Sequence, residues 1–272
     1  MSGNKRLTEQ KILTPGEKFK IKALADKYET KDFILLDPIQ VVHDMAGRSG
    51  ASREDIEITA IITSWICYGQ RGHIIRRANM LMELMDYQPY KYLMSDEWKQ
   101  YDMNFDSFYR FYRWEDFYTL MLRLKELYSS NAFLFAPGSW AAKNPLLHLV
   151  DSFQHIRGCP KDLRSVCKKL NLLLRWMVRR YSHVDLGIWK HISPKNLLLP
   201  VDTHVQRCAK YIGMFPRDCS VFGMGEVIYL TDYMRQVFPE DPARGDYALF
   251  GYGVEYGNFM DKGQAPRLIN IV

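Results

Sequence analysis

Two residues in the second half of this chain have side chains suited to chemistry: Lys168 in KKLNLLLRWM and Asp202 in PVDTHVQRCA. With Ser165 as N-cap, Lys168 falls in the first turn of a helix. There the helix dipole opposes a cation by about 0.3–1 kcal/mol, which favours the neutral, nucleophilic amine. Asp202 reads as the N-cap of a second helix, where a carboxylate accepts backbone N–H bonds. It is then placed as an anion beside any positive charge that develops. Lys169 is a rival nucleophile, about 100° round the helix from Lys168. Taken singly, each residue also suits a plainer role, as a surface lysine or an ordinary helix cap.

The charge pattern adds a ligand class. Nine basic residues and only two acidic ones lie between Arg157 and Lys190, while the whole chain carries a formal +6. So concentrated an excess suits a polyanion. At about 100° per residue, Lys168, Arg175 and Arg179 share one stripe, opposite an apolar face of Val166, Leu170, Leu173 and Met177. An exposed phosphate-binding stripe is therefore expected. A second concentration is aromatic, with 17 of the 37 aromatic residues between Tyr87 and Trp140. Phe111 and Trp114, beside Arg110 and Arg113, are the candidates for a base-stacking pocket.

The elements that must position these groups read as helices. Expected helices cover Asp55–Tyr68, His73–Met85, Leu146–Ile156, Val166–Arg180 and Thr203–Ile212, the last capped by Asp202 and stopped by Gly213. APGSWAAKNP (136–145) reads as a loop and Ile192–Val201 as an extended connection. No strand-and-hairpin series is legible, so the class expected is all-α. Five cysteines without a C-x-x-C pair argue against a disulfide framework, a zinc ribbon or an iron–sulfur cluster. His43-Asp44 lacks the upstream histidine that a His-Asp metal phosphohydrolase requires, and the His148/His155 and His183/His191 spacings do not suit a metal pair. No metal and no cofactor are expected. A polar start without an apolar h-region and the lack of a long apolar stretch point to a cytoplasmic protein without membrane attachment.

VDTHVQRCAKYIG resembles the aspartate-bearing segment of the helix-hairpin-helix (HhH-GPD) DNA glycosylases, the superfamily of endonuclease III. KKLNLLLRWM resembles the helix after their hairpin, with Lys168 and Asn171 matching a lysine–asparagine pair. ITAIITSWICYGQ is similar to their first long helix, which ends near a DNA-probing glutamine, here Gln70. The hairpin equivalent, CPKDLRSVC, diverges in having no Gly-x-Gly, and the 34-residue interval from Lys168 to Asp202 is similar to that of the archaeal 8-oxoguanine glycosylase branch. The chain as a whole is similar to an uncharacterised bacterial family, a domain of unknown function related to that superfamily. The segments that carry this likeness are DPIQVVHDM (37–45), EITAIITSWICYGQ (57–70), CKKLNLLLRWMVR (167–179), VDLGIWKHI (184–192), PVDTHV (200–205) and DYALFGYG (246–253).

The resemblance implies one two-lobed helical domain over 1–272, with lobe A at about 55–165, lobe B at about 1–54 plus 166–272, and Lys168 and Asp202 facing the cleft. It implies a monomeric DNA repair glycosylase, with or without lyase activity, removing a damaged base such as an oxidised purine. Lys168 is then the nucleophile and Asp202 the stabilising carboxylate. Gln70, Arg71, Lys169, Asn171, Arg175, Arg179 and His204 are the expected contacts to DNA, or to RNA. The alternative is a binding protein that keeps the fold without the catalysis.

Overall fold

The computed structural model of the chain describes residues 12–35, 37–130, 135–215 and 223–261. The polar start (residues 1–11) and Cys219 lie outside the described residues. In chain order the α-helices are α1 (Pro15–Tyr28), α2 (Lys31–Ile34), α3 (Ile39–Ala46), α4 (Arg53–Trp65), α5 (Arg71–Leu84), α6 (Pro89–Ser95) and α7 (Trp114–Ser129). They continue with α8 (Trp140–Lys143), α9 (Pro145–Phe153), α10 (Lys168–Val178), α11 (Thr203–Tyr211), α12 (Met224–Arg235) and α13 (Gly245–Asp261). The fold is mostly helical, as the apolar periodicity requires. One departure is a short antiparallel hairpin, β1 (Ser107–Tyr109) and β2 (Tyr112–Arg113), turning through Arg110 at φ 53°. Its strands are too short to show an alternating pattern. The stretch read as a loop over 136–145 holds the short helix α8, which Ser139 caps by accepting the Ala142 N–H.

The chain divides into two compact units, the first formed by Met1–Thr30, Leu163–Arg175 and Ser193–Val272. Its core joins Ile21, Leu24 and Ala25 of α1 to Val205, Cys208 and Ala209 of α11, Leu230 and Met234 of α12, and Leu249 and Tyr252 of α13. Two glycines of α13 let its neighbours approach closely. A Cβ on Gly251 would meet the Tyr28 ring at 1.9 Å, and one on Gly253 would meet His204 Nε2 at 2.0 Å. The Gly-Tyr-Gly of the sequence is thus a packing device.

The second unit comprises Lys31–Asp162 and Trp176–Ile192, with α4 at its centre against α3, α5 and α6. Ser52 and Asp55 close a capping box at the start of α4. Buried Glu57 then accepts from Arg53, from the Trp189 indole at 2.9 Å and from the Tyr128 hydroxyl at 3.1 Å. A carboxylate this buried persists because each oxygen is satisfied. His43 hydrogen-bonds the Val184 carbonyl at 2.6 Å, a structural role for the residue that the His-Asp pair had raised.

Candidate nucleic-acid interface

Lys168 is the first residue of α10, but Ser165 is not its N-cap. The helix starts two residues later than that reading requires, after Cys167 at φ 46°. Asn171 donates its backbone N–H to the Cys167 carbonyl and its side-chain amide to that of Val166. The stretch CPKDLRSVC, 159–167, forms bends and a turn at 163–164. Lys168 and Lys169 are both half-buried.

The exposed stripe is not formed. Asn171, Arg175 and Arg179 are 1%, 2% and 2% exposed. Arg175 pairs with Asp246 of α13 and lies 4.6 Å over the Tyr247 ring, while Arg179 pairs with Asp185. Both guanidiniums are spent on buried carboxylates and present no charge to a phosphate. The helical angle placed them correctly on one face. What it could not show is that the face is covered.

Asp202 caps α11 as its position in the sequence indicates, accepting the Val205 N–H at 2.8 Å, and Gly213 follows the helix at φ 82°. Among the described residues nothing pairs with the second carboxylate oxygen, and no ion pair joins Asp202 to Lys168. His204, one residue into α11, packs under Gly253 with its ring 6.1 Å from that of Phe250.

The second unit carries a different grouping. Tyr68 and Phe111 are 50% and 38% exposed, and their rings meet edge to face at 5.3 Å. Arg110 lies 5.0 Å over Tyr68, and Arg157 lies 5.9 Å over Phe111. Two buried tyrosines fix the hairpin here: Tyr109 donates to the Tyr68 carbonyl at 2.6 Å, and Tyr112 to the Trp65 carbonyl at 2.7 Å. Gly69, at φ 105°, leaves room for Arg110, whose Nη1 would stand 2.7 Å from a Cβ there. Gln70 and Arg71, exposed at the start of α5, adjoin this pair in sequence. Trp114 is not part of it. That ring stacks on Tyr101 at 4.4 Å and sits 5.0 Å from Phe108, inside the aromatic cluster at the base of the hairpin.

Beside the aromatic pair, α5 and the hairpin enclose an open cleft of about 650 Å³, lined by His73, Arg76 and Arg77 of the helix and Ser107, Tyr109 and Arg110 of the hairpin. Of these residues the sequence pattern singles out only Arg110, beside the candidate stacking pocket. Their signal was present in part, since His73, Arg76 and Arg77 stand at i, i+3 and i+4 on one helical face. Arg110 depends on a hairpin that the pattern does not reveal. No group of metal-ligating side chains occurs among the described residues.

No curated protein and no solved structure matches the chain. A family described as "Protein of unknown function (DUF2400)" matches residues 37–255, a span holding both the α10–α11 residues and the aromatic–arginine grouping, and the chain belongs to that family.

Proposed function

We propose that the protein binds nucleic acid through the second unit, with Tyr68 and Phe111 stacking on bases and Arg110 and Arg157 meeting phosphates. The observation that carries this reading is the exposed aromatic pair with a guanidinium over each ring. Isolated exposed aromatics are common, but a pair braced by arginines supplies both halves of nucleic-acid affinity. Base stacking contributes about 1–3 kcal/mol per base, and each phosphate contact adds about −0.9 to the salt slope on duplex DNA. The +6 formal charge supports association with a polyanion. Fluorescence anisotropy with labelled single-stranded and duplex DNA tests it. Tyr68→Ala with Phe111→Ala is expected to weaken binding by more than about tenfold, whereas unchanged affinity contradicts the reading.

A second, finer reading is favoured by the uncommitted oxygen of Asp202 and the first-turn position of Lys168. As in the HhH-GPD glycosylases that this sequence resembles, the Lys168 amine attacks C1′ of an extruded nucleotide. The glycosidic electron pair leaves with the base, and the Asp202 carboxylate stabilises the cationic sugar. Arg175, Arg179 and Asn171 have no place in this scheme beyond holding α10.

A further inference from the structure

The cleft between α5 and the hairpin has a composition that the stacking pair does not explain. Three guanidiniums, an imidazole and the Ser107 hydroxyl line it, and no carboxylate does. Several arginines elsewhere in the described residues are neutralised: Arg53, Arg123, Arg157, Arg175, Arg179, Arg235 and Arg244 each pair with an acidic side chain. Arg76, Arg77 and Arg110 have no such partner among the described residues. Arg77 reaches only the Met80 thioether, at 2.8 Å. Charges gathered this closely repel one another, and an anion between them relieves the repulsion. Burial raises the Tyr109 phenol, and Arg110 and Arg77 both oppose that rise, so the two guanidiniums act at one point. The first turn of α5 carries no acidic residue, and its dipole adds to the positive potential around His73.

We propose that this cleft binds a terminal phosphomonoester of a nucleic-acid strand. The inference rests on the nucleic-acid reading and names the part of the strand that the site selects. A phosphomonoester carries about −1.5 to −2 charges at neutral pH and three acceptor oxygens, whereas an internal phosphodiester carries a single charge. Three guanidiniums lining one cleft without a carboxylate match the former. Arg110 links the two features, because it lines the cleft and also lies over Tyr68. A terminal nucleotide stacked on the aromatic pair therefore has its phosphate directed to the cleft.

The experiment compares short labelled single strands of one sequence carrying a 5′-phosphate, a 3′-phosphate or hydroxyls at both ends, with the full chain and anisotropy as the readout. One phosphorylated strand is expected to bind about tenfold tighter than the hydroxyl strand, and the 5′ and 3′ arms show which end is read. Arg76 is exposed and Arg77 half-exposed, so Arg76→Gln with Arg77→Gln leaves the core intact, and circular dichroism checks the fold. In that variant the ratio between phosphorylated and hydroxyl strands falls to about one. Inorganic phosphate, added to the unaltered protein, reduces the same ratio. Equal affinity for all three strands, or a ratio that survives the double substitution, overturns the inference and leaves the nucleic-acid reading standing. Failure of every strand to bind removes both.

Discussion

Lys168 and Asp202 differ in how far local sequence determines them. The Asp202 cap follows from four consecutive residues and forms as the pattern requires, with the Val205 N–H on one oxygen. Lys168 keeps its first-turn position although the cap before it is Cys167 and not Ser165. The catalytic reading predicts a borohydride-trapped adduct on duplex DNA bearing an abasic site. Lys168→Ala is expected to abolish the adduct and Lys169→Ala to retain it. Asp202→Asn keeps the cap hydrogen bond and slows adduct formation by about 10²–10³-fold, the worth of one preorganised charge. Persistence of the adduct in Lys168→Ala excludes this lysine as the nucleophile.

Helix α10 takes its faces from local pattern but its burial from distant segments. Its period placed Arg175 and Arg179 on one side, but their partners lie 71 and six residues away. Asp246 comes from α13, so only the assembled unit shows that Arg175 is enclosed. The hairpin was missed for the related reason that two or three residues per strand give no period. The all-α class, the long helices and the α11 cap are local and were legible, whereas the aromatic–arginine grouping depends on a turn at Arg110 that brings distant segments together. Buried pairs of this kind lose more on removal of one partner than they contribute intact. Arg175→Ala is expected to cost about 3–5 kcal/mol in urea unfolding, because Asp246 is left buried and charged. The double change Arg175→Met with Asp246→Leu should cost far less. A stable Arg175→Ala protein with weakened DNA binding would return this arginine to the surface role that the sequence suggested.

At the scale of the whole molecule, the number of buried acids that stay neutral sets the alkaline limit. Burial pushes the Cys208 thiol and the Tyr229 phenol up to about 12 each. Burial likewise raises Tyr112, Tyr128 and Tyr252. Their ordinary values are 9.0 for the thiol and 10.0 for the phenols. The unfolded chain therefore releases protons first, and stability present at neutral pH is lost as the pH rises through this range. The urea midpoint should hold from about pH 7 to 9 and fall steadily above it, and a flat midpoint to about pH 11 would show these groups to be solvated in the fold.

The charge excess also looks different at this scale. Two of the nine basic residues between Arg157 and Lys190 are neutralised in the interior, and the cluster of Arg76, Arg77 and Arg110 lies outside that segment. The proposed nucleic-acid surface therefore lies on α5 and the hairpin. Ultraviolet crosslinking of bound single-stranded DNA, followed by peptide mapping, tests that assignment most directly. Adducts are expected on Tyr68 and Phe111, in the peptides around the start of α5 and the turn of the hairpin. Adducts confined to the segment from Arg164 to Arg180, with none on Tyr68 or Phe111, would contradict it.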